Sequence, residues 1–244
     1  MGQTTTRRAA GTALADHVTT LAEQTFATAD GLRAAAEELF SGVPENALDL
    51  AALRPLVSAA LGGLITGAGV ITTPLADGIG ALEWWMVTGP GERSRLDLDL
   101  DPASENFVDV ARQAWFSAPR DTGRRHVTGP YVDYVCAEQY TLTFTVPLTR
   151  RGAFAGIAGA DVFVGDFERA LRPVLRGAGG PVALVNMQGR IVAGSTAHHI
   201  TGSLIREPHI RAALADGVAR TLTDGVTLVP CPNLPLAVLT WPTG

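Results

Sequence analysis

The chain has 244 residues, of which 46% are hydrophobic, and a formal net charge of −5, which is typical of a globular protein of one large domain or two small ones. No block of basic residues is present, which argues against nucleic acid or an anionic membrane surface as a partner. All 19 basic residues are arginine, so lysine-dependent chemistry such as a Schiff base or a Walker motif is excluded.

The N-terminal segment, residues 1–62, is predicted to be helical. Apolar and small residues recur at alternating steps of four and three over residues 12–40, which indicates one long helix with a single apolar seam. We expect the seam to pack against the rest of the domain, with a homodimer formed through this helix as the alternative. A second helix is expected over residues 45–61.

No segment has the features of a signal peptide or of a convincing membrane-spanning helix. Asp16 and His17 interrupt the first apolar run, and glycines together with Pro74 punctuate the uncharged stretch of residues 55–76. The sequence therefore predicts a cytoplasmic protein without a membrane partner.

A first lobe is predicted over residues 63–178. Strands are expected at residues 68–73 and 79–88. Leucine and aspartate alternate from Leu96 to Asp101, which indicates an edge strand or an extended segment with the leucines inside. A helix over 105–117, a hairpin within 128–148, a strand over 154–163 and a helix over 166–175 follow.

The glycine cluster at residues 177–180 is the predicted boundary to a smaller second lobe, residues 179–244. Its sequence begins with PVALVNMQGRIVAGS, which predicts two strands, and continues with a helix near 205–215 and three short strands at 219–222, 226–229 and 235–241. The predicted fold class is α+β, with a long N-terminal helix followed by two lobes, each an antiparallel sheet with flanking helices.

The common catalytic and metal-binding motifs are absent from the sequence. No GxSxG, HExxH, P-loop, zinc-finger spacing or strand-linked GxGxxG occurs. His198 and His199 lack identifiable partner ligands, and Ser195 lacks an orienting acid. Cys136 and Cys231 lie far apart and are interpreted as core residues. We therefore expect no catalytic residue, no metal and no cofactor.

Polar side chains recur on one face of each predicted strand between residues 128 and 163. Strand alternation groups them as Tyr131 with Asp133, then Thr141, Thr143 and Thr145, then Gly159 with Asp161. If the strands are neighbours, these residues could line a single concave surface. Two carboxylates beside aromatic rings suit an ammonium group, through charge-assisted hydrogen bonds and cation-π contacts.

The segment before the hairpin adds Trp115, Phe116 and Arg112, the last as a clamp for a ligand carboxylate. The alternative is a purely structural role, in which Trp115 belongs to the core and the aspartates pair with nearby arginines such as Arg124, Arg125 or Arg150. Both interpretations remain open on the pattern alone.

The order of segments WF, TGPYVD, YTLTFTVPL, GAFAGIAGADVF and VALVNMQGRIVAGS resembles the double Cache (PDC-type) sensor family, the ligand-binding module of many bacterial chemoreceptors and sensor kinases. The resemblance extends over nearly the whole chain and implies two PAS-like lobes. The family's aromatic pair, Tyr-x-Asp and Gly-x-Asp fall on Trp115–Phe116, Tyr131–Asp133 and Gly159–Asp161.

The resemblance implies that Asp133 and Asp161 hold a ligand ammonium. It further implies that Tyr131 and Trp115 wall the pocket, with Trp84 as a further wall. We therefore expect a sensor that binds an ammonium-bearing metabolite, an amine or an amino acid, in the first lobe and signals occupancy to an unknown protein partner. The predicted ligand-binding residues are Trp84, Arg112, Trp115, Phe116, Tyr131, Asp133, Thr143 and Asp161.

The sequence departs from the family pattern in two respects. Members that bind amino acids commonly have an arginine two residues before the tryptophan, where this chain has Gln113, which puts recognition of a carboxylate in doubt. Typical members are also extracytoplasmic and tethered to an output domain, and neither feature is recognised here. The alternatives are a hydrolase or lyase with Asp133 and Asp161 as an acid/base pair, and a non-binding dimerising scaffold.

Overall fold

The computed structural model describes residues 2–133 and 139–243, with the backbone alone for Gln3, Glu45 and Asp133. Short 3-10 helices occur at Glu45–Ala47, Leu50–Leu53 and Val110–Arg112. The α-helices are α1 (Gly2–Gly42), α2 (Arg54–Ala60), α3 (Ala114–Thr122), α4 (Val164–Gly177) and α5 (Pro208–Asp216).

The first sheet is antiparallel throughout. Its strands are β1 (Gly67–Thr72), β2 (Leu82–Gly89), β3 (Glu92–Arg95), β4 (His126–Asp133), β5 (Gln139–Arg150) and β6 (Ala153–Phe163). Their order in the sheet is β3-β2-β1-β6-β5-β4. Strand β1, the first of this sheet along the chain, therefore lies beside β6, the last of this sheet, and Gly67 stands directly opposite Asp161. We call this sheet together with α3 and α4 the first lobe.

The second sheet is smaller and also antiparallel. Its strands are β7 (Val182–Asn186), β8 (Ile191–Gly194), β9 (Arg220–Thr221), β10 (Thr227–Pro230) and β11 (Leu236–Thr240), in the order β8-β7-β11-β10-β9. Helix α5 covers one face, where Ile210 and Leu214 pack in a buried apolar cluster with Leu228 and Leu239. We call this sheet together with α5 the second lobe.

Helix α1 packs against both sheets. Its buried residues Leu14, Val18, Phe26 and Leu32 belong to one apolar cluster that takes in strands of both lobes. Phe26 meets Phe144 of β5 edge to face, with ring centroids 5.3 Å apart. Each large apolar side chain buried in this way contributes about 1.5–3 kcal/mol. The two lobes are therefore joined by a shared core along α1.

The predicted α+β fold class, with a long N-terminal helix and two antiparallel sheets, is confirmed. Two local helix predictions are wrong. The helix expected over 105–117 begins only at Ala114, because Asp109 caps a separate 3-10 turn through a hydrogen bond from the Ala111 amide at 3.2 Å. The helix expected over 45–61 is divided, because Asp49 caps its own 3-10 helix and Pro55 stands at the start of α2.

The alternating segment Leu96 to Asp101 is extended but forms no strand. Leu100 is buried, and Leu96 and Leu98 pack against the same cluster as Trp84 and Phe116. The leucines therefore point inward, as predicted, and the segment covers the face of the first sheet that lies opposite α1.

Cys231 is 2% exposed, in agreement with its prediction as a core residue. Burial raises the pKa of its thiol to about 12, so the thiol is protonated and unreactive at neutral pH. Cys136, the other predicted core cysteine, lies outside the described residues.

Candidate ligand-binding site

The two faces of the first sheet differ in chemistry because side chains alternate along each strand. Leu142 and Phe144 of β5, with Ala158 and Ala160 of β6, are buried in the cluster that includes α1. The opposite face carries the threonines of β5 and Asp161 of β6, and α3 contacts β4, β5 and β6. The alternation predicted from the sequence is thus found, and the polar face lies beneath the segment that contains α3.

Asp161 is at the centre of a chain of hydrogen bonds on this polar face. Asp161 is 5% exposed. Its Oδ1 accepts a hydrogen bond of 2.6 Å from the hydroxyl of Thr143. Oδ2 accepts a bond of 3.2 Å from Nε1 of Trp84. Both donors direct their hydrogens at the carboxyl oxygens, which holds the carboxyl group of Asp161 in one orientation.

Tyr131 extends this chain from the neighbouring strand. Its hydroxyl lies 2.7 Å from Oγ1 of Thr143. Since the single proton of Thr143 is directed to Asp161, Tyr131 donates and Thr143 accepts. Four predicted site residues, from β2, β4, β5 and β6, are therefore brought together in one connected arrangement.

Thr66 anchors the backbone of Asp161 and was not predicted from the sequence as a residue of the site. Its amide and its hydroxyl both donate to the Asp161 carbonyl, at 2.9 and 3.1 Å. The two residues are 95 positions apart in sequence, and they meet because β1 pairs with β6. No motif around Thr66 marks it, so only knowledge of the strand order could have found it.

Glycines beside Asp161 leave room for the indole of Trp84. A Cβ on Gly67 would lie 2.7 Å from Oδ2 of Asp161 and 3.2 Å from Nε1 of Trp84. A Cβ on Gly159 would lie 3.0 Å from both Cη2 of Trp84 and Cγ2 of Thr145. The glycine of the Gly-x-Asp motif is therefore required because the indole lies close against the strand.

We expect Gly159→Ala to lower the free energy of unfolding by about 1–3 kcal/mol, the usual cost of overpacking. The added methyl would also lie 2.8 Å from the Phe144 carbonyl oxygen, which the strand pairing holds in place. Urea unfolding measures the change. Gly165→Ala is the matched control, because a Cβ there meets nothing within 4 Å; equal or greater stability of Gly159→Ala would show that the indole does not depend on this glycine.

Trp115 and Phe116 place aromatic rings over the polar face. Phe116 is 3% exposed and meets Phe154 edge to face, with centroids 5.5 Å apart. Trp115 is half-buried and meets Phe116 with centroids 6.2 Å apart. Phe116 belongs to the buried cluster that contains Trp84, and Trp115 packs against that cluster.

Arg112 is not brought to the site, which corrects its prediction as a carboxylate clamp. Its side chain is 87% exposed, and its Nε lies 2.9 Å from Oδ2 of Asp109. The 3-10 turn that Asp109 caps directs the guanidinium into solvent. Asp133 ends β4 opposite Gln139, and its side chain, for which we predicted an ammonium contact, lies outside the described residues.

Two further basic groups do not bring positive charge to Asp161. His126 lies opposite Thr145 across β4 and β5, and burial lowers the pKa of its imidazole, so the ring is neutral at pH 7. Arg125 forms an ion pair with Glu23 of α1 and lies over the ring of Phe26, 4.5 Å from its centroid.

Comparisons with known proteins agree with this geometry. Residues 94–169 match the family model of the methyl-accepting chemotaxis protein-like first PDC sensor domain. These residues are similar to a PDC sensor domain. The match takes in α3, the β4–β5 hairpin and Asp161, so the resemblance of the chain to double Cache, PDC-type sensors is confirmed. The PDC family is a family of sensors and not of enzymes.

Solved PDC-type structures extend the likeness over nearly the whole chain. The ligand-binding domain of the Pseudomonas fluorescens chemoreceptor CtaA, in complex with L-valine, is 15% identical with a TM-score of 0.62, covering 96% of this chain and 95% of that one. The extracellular domain of mmHK1S-Z3, described as a histidine kinase, is 16% identical with a TM-score of 0.65, covering 92% and 89%. At these identities the likeness shows the fold.

A curated relative matches over a shorter stretch. The methyl-accepting chemotaxis protein TlpQ of Pseudomonas aeruginosa is 27% identical over 89 residues. The match covers 35% of this chain and 12% of the receptor, so the chain spans a small part of the length of that relative.

The prediction of a cytoplasmic location is wrong. Proteins that share the PDC fold include extracellular domains of sensor proteins and the chemotaxis receptors named above. Within residues 2–133 and 139–243, no helix is both long and apolar enough to cross a membrane. The prediction failed because the composition of a sensor domain does not report the compartment in which it lies.

Proposed function

We propose that the first lobe binds a small metabolite through its ammonium group, which donates to the carboxylate of Asp161. The observation that carries this proposal is a buried carboxylate whose two oxygens are fixed by Thr143 and Trp84 on the face beneath α3. A fixed carboxylate forms a directional bond with an ammonium group, and hydrogen bonds to charged groups are worth about 1.5–3 kcal/mol. The Trp84 indole lies beside it and can add a cation-π contact.

The remaining residues of the proposed site have supporting roles. Tyr131 and Thr143 hold the carboxylate, and Trp115 and Phe116 close the aromatic side. Asp133, whose side chain lies outside the described residues, is proposed as a second carboxylate from the sequence pattern alone. L-valine in the CtaA structure has an ammonium group, which supports an amino acid as ligand. Because Arg112 points into solvent, an amine without a carboxylate fits the site equally well.

The proposal includes signalling of occupancy to a protein partner. We further propose a boundary between the lobes at residues 178 and 179. Because α1 contacts both sheets, we propose that it transmits a movement of either one. The apolar seam of α1 is buried within the chain, so a homodimer through this helix, which we also propose, would use its exposed face.

Two matched sets of ligands test the ligand class. L-valine is compared with isobutylamine, which lacks its carboxylate, and with 3-methylbutanoate, which lacks its amine. γ-Aminobutyrate is compared in the same way with propylamine and butanoate. A ligand that binds the folded state alone raises the thermal midpoint in a concentration-dependent manner.

We expect the amine-bearing members of at least one set to raise the midpoint and the two carboxylates without an amine to have no effect. A rise caused by the carboxylates alone would overturn the assignment of Asp161 as an ammonium acceptor. Absence of any effect would favour the non-binding scaffold.

A further inference from the structure

A hydrogen bond joins the second lobe to the strand that carries Tyr131. Asn186 is the last residue of β7, and its Nδ2 donates to the carbonyl of Gly129 in β4 at 2.8 Å. The two residues are 57 positions apart in sequence. The bond therefore connects the hairpin of the second lobe with a strand of the proposed ligand site.

The orientation of the Asn186 amide is fixed by its other contacts. Oδ1 accepts hydrogen bonds from the backbone amides of Gln188, at 3.1 Å, and Arg190, at 2.9 Å. These bonds close the turn between β7 and β8. Because the oxygen is held in the turn, the amide nitrogen has to face Gly129.

Gly129 lies in a bulge that determines where Tyr131 falls. Thr128 is opposite Thr143, whereas Tyr131 is opposite Thr141, so β4 has one residue more than β5 between these pairs. Gly129 has a φ of +127°, and a Cβ there would lie 2.5 Å from the Thr141 carbonyl oxygen. Glycine is therefore required at this position, and the geometry of the bulge sets the direction of the Gly129 carbonyl group.

A second contact between the lobes lies at the start of β5. The ring of Tyr140 lies directly over Gly202, where a Cβ would come within 2.2 Å of the Tyr140 hydroxyl. Nη1 of Arg190, which also belongs to the β7–β8 turn region, donates to the Gly202 carbonyl at 2.6 Å. The second lobe thus contacts both strands of the hairpin that contains Tyr131.

We propose that Asn186 is a positioning residue of the ligand site, which acts through the Gly129 bulge to hold the Tyr131 hydroxyl on Thr143. The ligand part of this inference rests on the proposed function. Because coupling between two sites is reciprocal, a ligand that needs Tyr131 in place also strengthens the bond between Asn186 and Gly129. Occupancy of the first lobe would in this way be reported to the β7–β8 hairpin of the second lobe.

Asn186→Asp separates the two roles of the side chain. The aspartate keeps an oxygen for the Gln188 and Arg190 amides but has no hydrogen to donate to Gly129. Hydrogen–deuterium exchange of the whole ligand-free chain is followed by mass spectrometry. We expect exchange in peptides covering residues 126–133 to rise about fivefold, the effect of one lost hydrogen bond, while residues 182–194 and 153–163 remain unchanged.

Asn186→Ala is the comparison, since it removes both roles and should accelerate exchange in 182–194 as well. Unchanged exchange over 126–133 in Asn186→Asp would overturn the inference. A rise over 182–194 of the same size in both variants would also do so, because the aspartate would then have opened the turn itself.

A double-mutant cycle with Tyr131→Phe tests whether Asn186 acts through Tyr131. With isobutylamine and L-valine as probes, Asn186→Asp is expected to weaken binding about fivefold in the Tyr131 background and less than twofold after Tyr131→Phe, since one hydrogen bond is at stake. Equal losses in both backgrounds would contradict the inference. If the chain binds neither probe, the proposed function is wrong. The hydrogen–deuterium exchange result then tests independently whether Asn186 holds the bulge.

Discussion

Asp161→Asn is expected to weaken binding of an ammonium ligand about 10- to 100-fold, which corresponds to the loss of one charge-assisted hydrogen bond. Asparagine has the size of aspartate and lacks its charge. Its oxygen can accept from Nε1 of Trp84, and its nitrogen can donate to the hydroxyl of Thr143, the two groups that bond Asp161 in the native chain. The fold is therefore expected to survive the change while the affinity for the ligand falls.

Isothermal titration calorimetry with L-valine and isobutylamine measures the effect, and urea unfolding checks the fold. Asp166→Asn at the start of α4 is the matched control, since this aspartate pairs with Arg169 away from the polar face. Native affinity in Asp161→Asn would show that the ammonium group binds elsewhere. A loss of the same size in Asp166→Asn would show that the effect is unspecific.

Glu83→Gln is expected to lower the free energy of unfolding by about 1.5–3 kcal/mol, the scale of hydrogen bonds to a charged group. Glu83 is 1% exposed. Its oxygens bind Nε of Arg54 at 2.8 Å and Nε of Arg95 at 3.3 Å, and it accepts a bond of 2.7 Å from Nε1 of Trp85. Glutamine leaves both guanidinium groups without their counter-charge.

Urea unfolding at pH 7 measures this loss. Glu92→Gln on the exposed strand β3 is the matched control, and its free energy of unfolding is expected to lie within about 0.5 kcal/mol of that of the native chain. Equal stabilities of the two variants would contradict the role of Glu83 in joining α2 to the first sheet.

The effect of Glu83→Gln should depend on pH. Burial alone would raise the pKa of Glu83, but hydrogen bonds from Arg54 and Trp85 and the charges of Arg54 and Arg95 outweigh it, so the pKa lies below its ordinary value of 4.5. A carboxyl group whose pKa is lower in the folded than in the unfolded state stabilises the fold at pH values above its unfolded-state pKa. This contribution is lost as the pH falls through the folded-state pKa. The difference in the free energy of unfolding between the native chain and Glu83→Gln should therefore become smaller below pH 4.5.

The sheet faces and the fold class could be predicted from the sequence because strand periodicity is local information. Alternation groups Thr143 with the other threonines of β5 and Asp161 with Gly159 of β6, and the pairing of these two consecutive strands brings both groups to one face. The pairing of β1 with β6 is not local, and it is this pairing that brings Thr66 and Gly67 to Asp161. Arg112 was misplaced because its direction depends on the 3-10 turn capped by Asp109.

The role proposed for Asn186 was equally beyond sequence reasoning. The side chain stands in a turn where asparagine is an ordinary residue, and its amide oxygen has an ordinary capping role. Its nitrogen reaches the Gly129 carbonyl because the two lobes are brought together along α1, a consequence of the tertiary packing that no local pattern encodes.

The central claim is that the first lobe binds an ammonium group at Asp161, and a crystal structure of the chain with bound L-valine or isobutylamine tests it most directly. The account predicts the ligand nitrogen within about 2.7–2.9 Å of an Asp161 carboxylate oxygen, the distance of a charge-assisted bond, on the face beneath α3 and beside Trp84. A ligand bound in the second lobe, or bound in the first lobe with its nitrogen directed away from Asp161, would contradict it.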